Sequence, residues 1–198
     1  MAFIRYYLTD MLIRWCFFLA LLTTAVTPGY LSASGGQTVP DSLVGSRPFE
    51  WQVSDWLNSE PVSLRALRGK VVLVRWWTTG CMLCASSTSS LNILHDRYAS
   101  LGLFVAGFYH HKSADLLNVA AIHDYAKRFD YQFPIAIDHD WRTLQVWWLN
   151  TGQRDYTSVS LLLDRDGVIR SVHRGGKLAP DSAAFESLER LIQQLLSQ

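Results

Sequence analysis

The sequence predicts an α/β fold in which a central mixed sheet is flanked by helices, and three observations carry that expectation. After about residue 47, apolar segments of strand length alternate with longer segments of helical period. Two β-rich segments, 158–163 and 168–173, flank Asp164-Arg165-Asp166-Gly167, a turn that joins antiparallel strands. The uninterrupted apolar run 71–77 ends shortly before Cys81, which forms a C-x-x-C pair with Cys84, so the pair lies where a buried strand passes into a helix.

The elements follow in chain order. Residues 49–57 alternate like a strand, and Asn58-Ser59-Glu60-Pro61 is a turn. Ser63 is placed to cap a short helix that reaches Leu67 and stops at Gly69. The run 71–77 is a buried strand whose adjacent Trp76 and Trp77 face opposite sides and pack in the core. A helix from Cys81 to about residue 100 is closed by Gly102, and a strand follows at 103–108. A helix fits 114–129, a short strand 134–137, and a short helix 140–148. The hairpin comes next, and residues 183–196 form an amphipathic closing helix. A β-α-β half followed by a β-β-α half is the thioredoxin arrangement, here with an N-terminal extension and an insertion between the halves. The sequence contains no internal repeat.

Composition narrows the function. Of the 198 residues, 18 are Lys or Arg and 17 are Asp or Glu, which gives no basic field for nucleic acid and excludes it as an expected partner. Of the three cysteines, Cys16 lies in an apolar leader, so a scaffold stapled by several disulfides is excluded. Cys81 and Cys84 are left for chemistry or metal. A helix N-terminus at Cys81 stabilises a thiolate, the form that attacks disulfides. Cys84, one turn further on, is placed to capture the mixed disulfide and release the reduced partner.

Residues 1–33 read as a signal peptide or an N-terminal membrane anchor. Arg5 and Arg14 precede the apolar stretch 15–26, and Pro28-Gly29 and a run of small residues follow. Either alternative places Cys81 outside the cytoplasm, in the periplasm or its equivalent. Residues preceding Cys16 do not match a lipoprotein signal. Residues 34–46 read as a linker and 47–198 as one domain.

The string 62–84 (VSLRALRGKVVLVRWWTTGCMLC), with FPIAID at 133–138 and LLLDRDGVI at 161–169, resembles the TlpA/ResA-like branch of the thioredoxin superfamily, which includes redoxins. The resemblance implies an exported thiol:disulfide oxidoreductase that exchanges electrons with thiols or disulfides of client proteins. It implies an upstream membrane thiol reductase or oxidant as well. By position, Cys81 matches the attacking cysteine, Cys84 the resolving one, and Trp77 the tryptophan beneath the site. No organic cofactor is implied, because the two sulfurs carry the electrons. The chain departs from the pattern in three places: Gly80 stands where tryptophan is usual, Met82-Leu83 lies between the cysteines in place of a proline-containing pair, and Ser158 falls at the cis-proline position. A trans Thr157–Ser158 bond is therefore expected, since a non-proline cis bond costs about 3 kcal/mol. Without the proline, the resemblance does not carry client docking over to the Thr157–Ser158 loop. Arg75 stands where thioredoxins often keep a buried acid. It either approaches Cys84 and favours its thiolate, or snorkels to a carboxylate elsewhere.

Other readings stay open. A lone C-x-x-C can hold Cu(I), which would make the chain a metallochaperone. Thr78 matches a peroxiredoxin-like peroxidase signature, whereas Val74 stands in place of its proline. Structural zinc lacks a second ligand pair. His110 and His111 follow the strand at 103–108 and are assigned surface or capping roles; Asp138, Asp140, Asp164 and Asp166 are assigned to turns.

Overall fold

The computed structural model describes residues 42–53, 55–152, 154–175 and 177–198. The predicted leader, with Cys16, lies outside the described residues. Its elements are β1 (Asp55–Leu57), β2 (Val71–Trp77), α1 (Met82–Ala85), α2 (Thr88–Tyr98), β3 (Leu103–Tyr109), α3 (Val119–Arg128), β4 (Ile135–Ile137), α4 (Arg142–Trp147), β5 (Val159–Leu163), β6 (Ile169–Arg174) and α5 (Ala183–Leu196). The strands form one six-stranded sheet in the order β1-β4-β3-β2-β5-β6. β2 lies parallel to β3 and antiparallel to β5, β3 is parallel to β4, and the outer pairs β1–β4 and β5–β6 are antiparallel. This is the expected mixed sheet, with α3, β4 and α4 inserted between the two halves.

β2 is buried along its whole length, which is why its sequence shows no polar alternation. Alternation reappears in where its side chains go. Leu73 and Trp77 join the cluster made with α2, α3 and α5, which includes Cys84, Leu94, Ile122 and Ile192. Val72, Val74 and Trp76 join the opposite cluster with Leu144 and Trp147 of α4. Gly107, beside Arg75 in the β2–β3 register, makes room for the Trp77 ring. A Cβ there would stand 2.9 Å from Trp77 Nε1 and 3.0 Å from the Phe133 ring.

Four elements differ from the expected bounds. The strand expected at 49–57 pairs only over Asp55–Leu57, because its partner β4 is three residues long. Before it, Trp51 is buried and donates Nε1–H to the Val62 carbonyl, while the Glu50 carboxylate accepts from the Leu64 and Arg65 N–H groups. The helix expected from Cys81 onward breaks between α1 and α2. Ser86 and Ser87 hydroxyls both donate to the Leu83 carbonyl, and Ser87 Oγ accepts from Leu178 N–H, so side chains replace the helical ladder there. α3 begins only at Val119, where Asn118 Oδ1 accepts from Ala121 N–H as an N-cap. α4 begins at Arg142 because Asp140 and Trp141 adopt positive φ.

Other features match expectation. Ser63 Oγ accepts from Ala66 N–H, and the Asp164 carboxylate accepts from Asp166 and Val168 N–H in the hairpin turn. α5 spans the expected residues, with Ser182 as N-cap. Gly45 and Ser46, at the end of the segment read as a linker, exchange backbone hydrogen bonds with Ile169. Among the described residues no helix is long and apolar enough to cross a membrane.

Gly107→Ala is expected to destabilise the domain by about 1–3 kcal/mol through overpacking against Trp77 and Phe133. Urea unfolding should show a lower midpoint at unchanged slope; an unchanged midpoint would mean that the rings yield freely.

Candidate active site

The C-terminal end of β2 leads through Thr78, Thr79 and Gly80 to Cys81, the N-cap of α1. Gly80 has φ +77°, a conformation in which an L side chain is strained, so glycine suits this turn. Cys81 and Cys84 form a disulfide with Cα atoms 5.2 Å apart. The two sulfurs differ in surroundings. Cys81 is half-buried at the rim, whereas Cys84 is 3% exposed and part of the core cluster. Met82 and Leu83 between them are exposed.

Each sulfur has its own hydrogen-bond neighbour. Cys84 N–H donates to Cys81 Sγ at 3.2 Å. Ser158 Oγ lies 3.5 Å from Cys84 Sγ, so the residue in the cis-proline position touches the disulfide. The Thr157–Ser158 bond is trans, as serine dictates. Thr157 turns away to His110: its Oγ1 lies 2.8 Å from His110 Nε2.

Arg75 is fully buried on the Leu73/Trp77 side of β2. Its Nη1 donates to the Gly175 carbonyl at 2.8 Å and to Ser160 Oγ at 3.1 Å. Burial pulls its pKa down to about 10, the nearby Tyr131 opposing, so the guanidinium remains protonated at neutral pH. Gly175 N–H in turn donates to the Ser158 carbonyl at 3.0 Å, which links Arg75 to the residue on the disulfide. Gly175 is therefore a relay in this chain of bonds. Trp77 belongs to the same core cluster as Cys84 and packs against Tyr131 at 4.4 Å, Tyr109 at 5.1 Å and Tyr125 at 5.8 Å between ring centroids. Burial pushes the Tyr131 phenol up to about 12, so it stays neutral.

His110 corrects the surface or capping role assigned to it. It is 0% exposed, bonded to Thr157 and set edge-on to Trp141. Burial, aided by the charge of Lys112, pulls its pKa down to about 3. Asp138 is also buried and caps α4 through Thr143 and Leu144 N–H, with Trp76 Nε1–H as a third donor. Burial raises its pKa and those bonds oppose the rise. A signal for His110 was its place at the end of the apolar segment 103–109; its partner Thr157 is too distant in sequence to be read.

A cleft of about 320 Å³ lies at the ends of β2 and β3 and the start of α3, lined by Thr79, Tyr109, His111, Leu116, Asn118 and Ile122 among others, and neither cysteine lines it. A larger cleft of about 640 Å³ lies near β1 and α4, at Trp51, Asp55, His139 and Arg142, and contains none of the expected site residues.

The Redoxin family model matches residues 36–191. The chain belongs to the Redoxin family. This redoxin is 28% identical over 156 residues to Protein DipZ of Mycobacterium bovis, covering 77% of this chain and 21% of that protein. The chain thus spans about a fifth of the length of that relative. It is 25% identical over 126 residues to the thiol-disulfide oxidoreductase ResA of Bacillus cereus, covering 64% of this chain and 66% of ResA. A solved thiol-disulfide isomerase from Corynebacterium glutamicum superposes with a TM-score of 0.60 at 27% identity, covering 76% of this chain and 96% of that one. The resemblance to ResA-like proteins and the thioredoxin-like fold are borne out.

His110 sets a pH dependence. Its folded pKa of about 3 lies below the unfolded value of about 6.5, so it contributes no slope above about pH 6.5. Below that the unfolded chain takes up a proton that the folded chain refuses, and stability falls by up to about 1.4 kcal/mol per pH unit toward pH 3. Denaturant titrations should show this slope flattened in His110→Gln; an equal slope in both proteins would contradict the assignment.

Proposed function

We propose that this redoxin is an extracytoplasmic thiol:disulfide oxidoreductase that exchanges electrons with client proteins through Cys81 and Cys84. The observation that carries the reading is the Cys81–Cys84 disulfide at the end of β2, with one sulfur at the rim and the other in the core. A client can reach only the outer sulfur easily, and the inner one can act only on a neighbour already bound there. In the reducing direction the Cys81 thiolate attacks a client disulfide and forms a mixed disulfide. Cys84 then attacks Cys81, the client thiol leaves, and the internal disulfide closes. In the oxidising direction the same bonds exchange in reverse. The sulfurs hold the two electrons, and no organic cofactor is needed. The exposed Met82 and Leu83 offer apolar contact to a client segment beside the disulfide.

Location and partners rest on the leader. Basic residues before an apolar stretch support export or anchoring with the domain outside the cytoplasm, and recycling of the dithiol then calls for a membrane thiol reductase or oxidant.

Cys84→Ser is expected to accumulate a covalent Cys81–client adduct, seen by non-reducing electrophoresis and identified by mass spectrometry. Cys81→Ser should form none. Hydroperoxide consumption by Cys84→Ser in a single turnover, with no disulfide adduct, would overturn the reading in favour of a peroxidase.

A further inference from the structure

We propose that Ser158 is a further catalytic residue, whose hydroxyl holds the Cys84 sulfur as a thiolate for the step that closes the internal disulfide; this rests on the dithiol reading above. A sulfur within a disulfide carries no hydrogen, so at 3.5 Å from Cys84 Sγ the Ser158 hydroxyl is the donor. Cys84 is 3% exposed, and burial penalises its anion because water cannot solvate it there. The backbone donor at the site, Cys84 N–H, is committed to Cys81 Sγ. Ser158 thus supplies the inner sulfur with the kind of bond that the outer sulfur receives from the chain itself. The adjacent strand position cannot help by accepting a proton, because Arg75 is already protonated.

Ser158 is held for this task from both sides. Its carbonyl accepts from Gly175 N–H, and the Gly175 carbonyl accepts from buried Arg75. The preceding Thr157 is fixed by His110. Arg75 and His110 are therefore positioning residues. In the step itself, with Cys81 joined to the client, the Cys84 thiol gives its proton to water and Ser158 O–H donates to the resulting anion. Cys84 Sγ attacks Cys81 Sγ; that S–S bond forms as the Cys81–client bond breaks, and the client sulfur leaves with the electron pair and takes a proton from water. Cys84 is oxidised and the client sulfur reduced.

The test follows the reduced full chain reacting with dithiobis(nitrobenzoate) by stopped flow. The first thionitrobenzoate released reports attack by Cys81, and the second reports closure by Cys84. Ser158→Ala should slow the second release about tenfold and move its pH midpoint up by about one unit, leaving the first unchanged. Ser158→Thr, which keeps the hydroxyl, should retain most of the second rate. Equal second rates in the parent and Ser158→Ala at every pH would overturn the assignment, as would equal slowing in Ala and Thr variants. A parent that releases the first thionitrobenzoate but never the second overturns the dithiol reading itself.

Discussion

β2 is hydrogen-bonded on both edges, parallel to β3 and antiparallel to β5, and each of its residues is buried. That double pairing fixes its register, and the register decides which face each side chain takes. Leu73, Arg75 and Trp77 point to the side that holds Cys84, while Val72, Val74 and Trp76 point to the other. A slip of one residue would put Arg75 into the apolar cluster around Trp147 and would remove Trp77 from the cluster that holds Cys84. The strand's end also sets where Gly80 turns the chain and where Cys81 begins α1. The dithiol chemistry thus depends on a pairing constraint more than on the cysteines' immediate neighbours.

Arg75 shows what that constraint tolerates. A buried guanidinium loses its hydration, a cost that burial expresses as a lowered pKa, and it persists because Ser160 and the Gly175 carbonyl replace water. Those bonds tie the hairpin β5–β6 and Gly175 to β2 by electrostatics as well as by the ladder. The same bonds reach Ser158. Arg75 is in this way coupled to the disulfide through the Gly175 peptide groups and Ser158.

Local pattern made much of the fold legible. α5 was readable because fourteen residues of helical period follow a serine cap, and the hairpin because Asp164 organises its own turn. The Cys81–Cys84 pair at the end of β2 was legible from its spacing. What escaped depends on residues far apart in sequence. The break after α1 requires Leu178 to meet Ser87, and the shortness of β1 is imposed by β4. The burial of His110 requires Thr157 and Trp141, and the function of Gly175 as a link appears only once Arg75 and Ser158 are seen on either side of it. The start of α3 after its cap Asn118 was readable in principle, since asparagine is a preferred cap.

The most direct test of the central claim is a redox titration of the chain in thiol/disulfide buffers, following tryptophan fluorescence together with alkylation of Cys81 and Cys84. The account predicts one reversible transition in which both cysteines lose reactivity together, with a tenfold change in the oxidised-to-reduced ratio for about 30 mV, the slope of a two-electron couple. Two separate transitions, or a pair that cannot be oxidised to an internal disulfide, would contradict it.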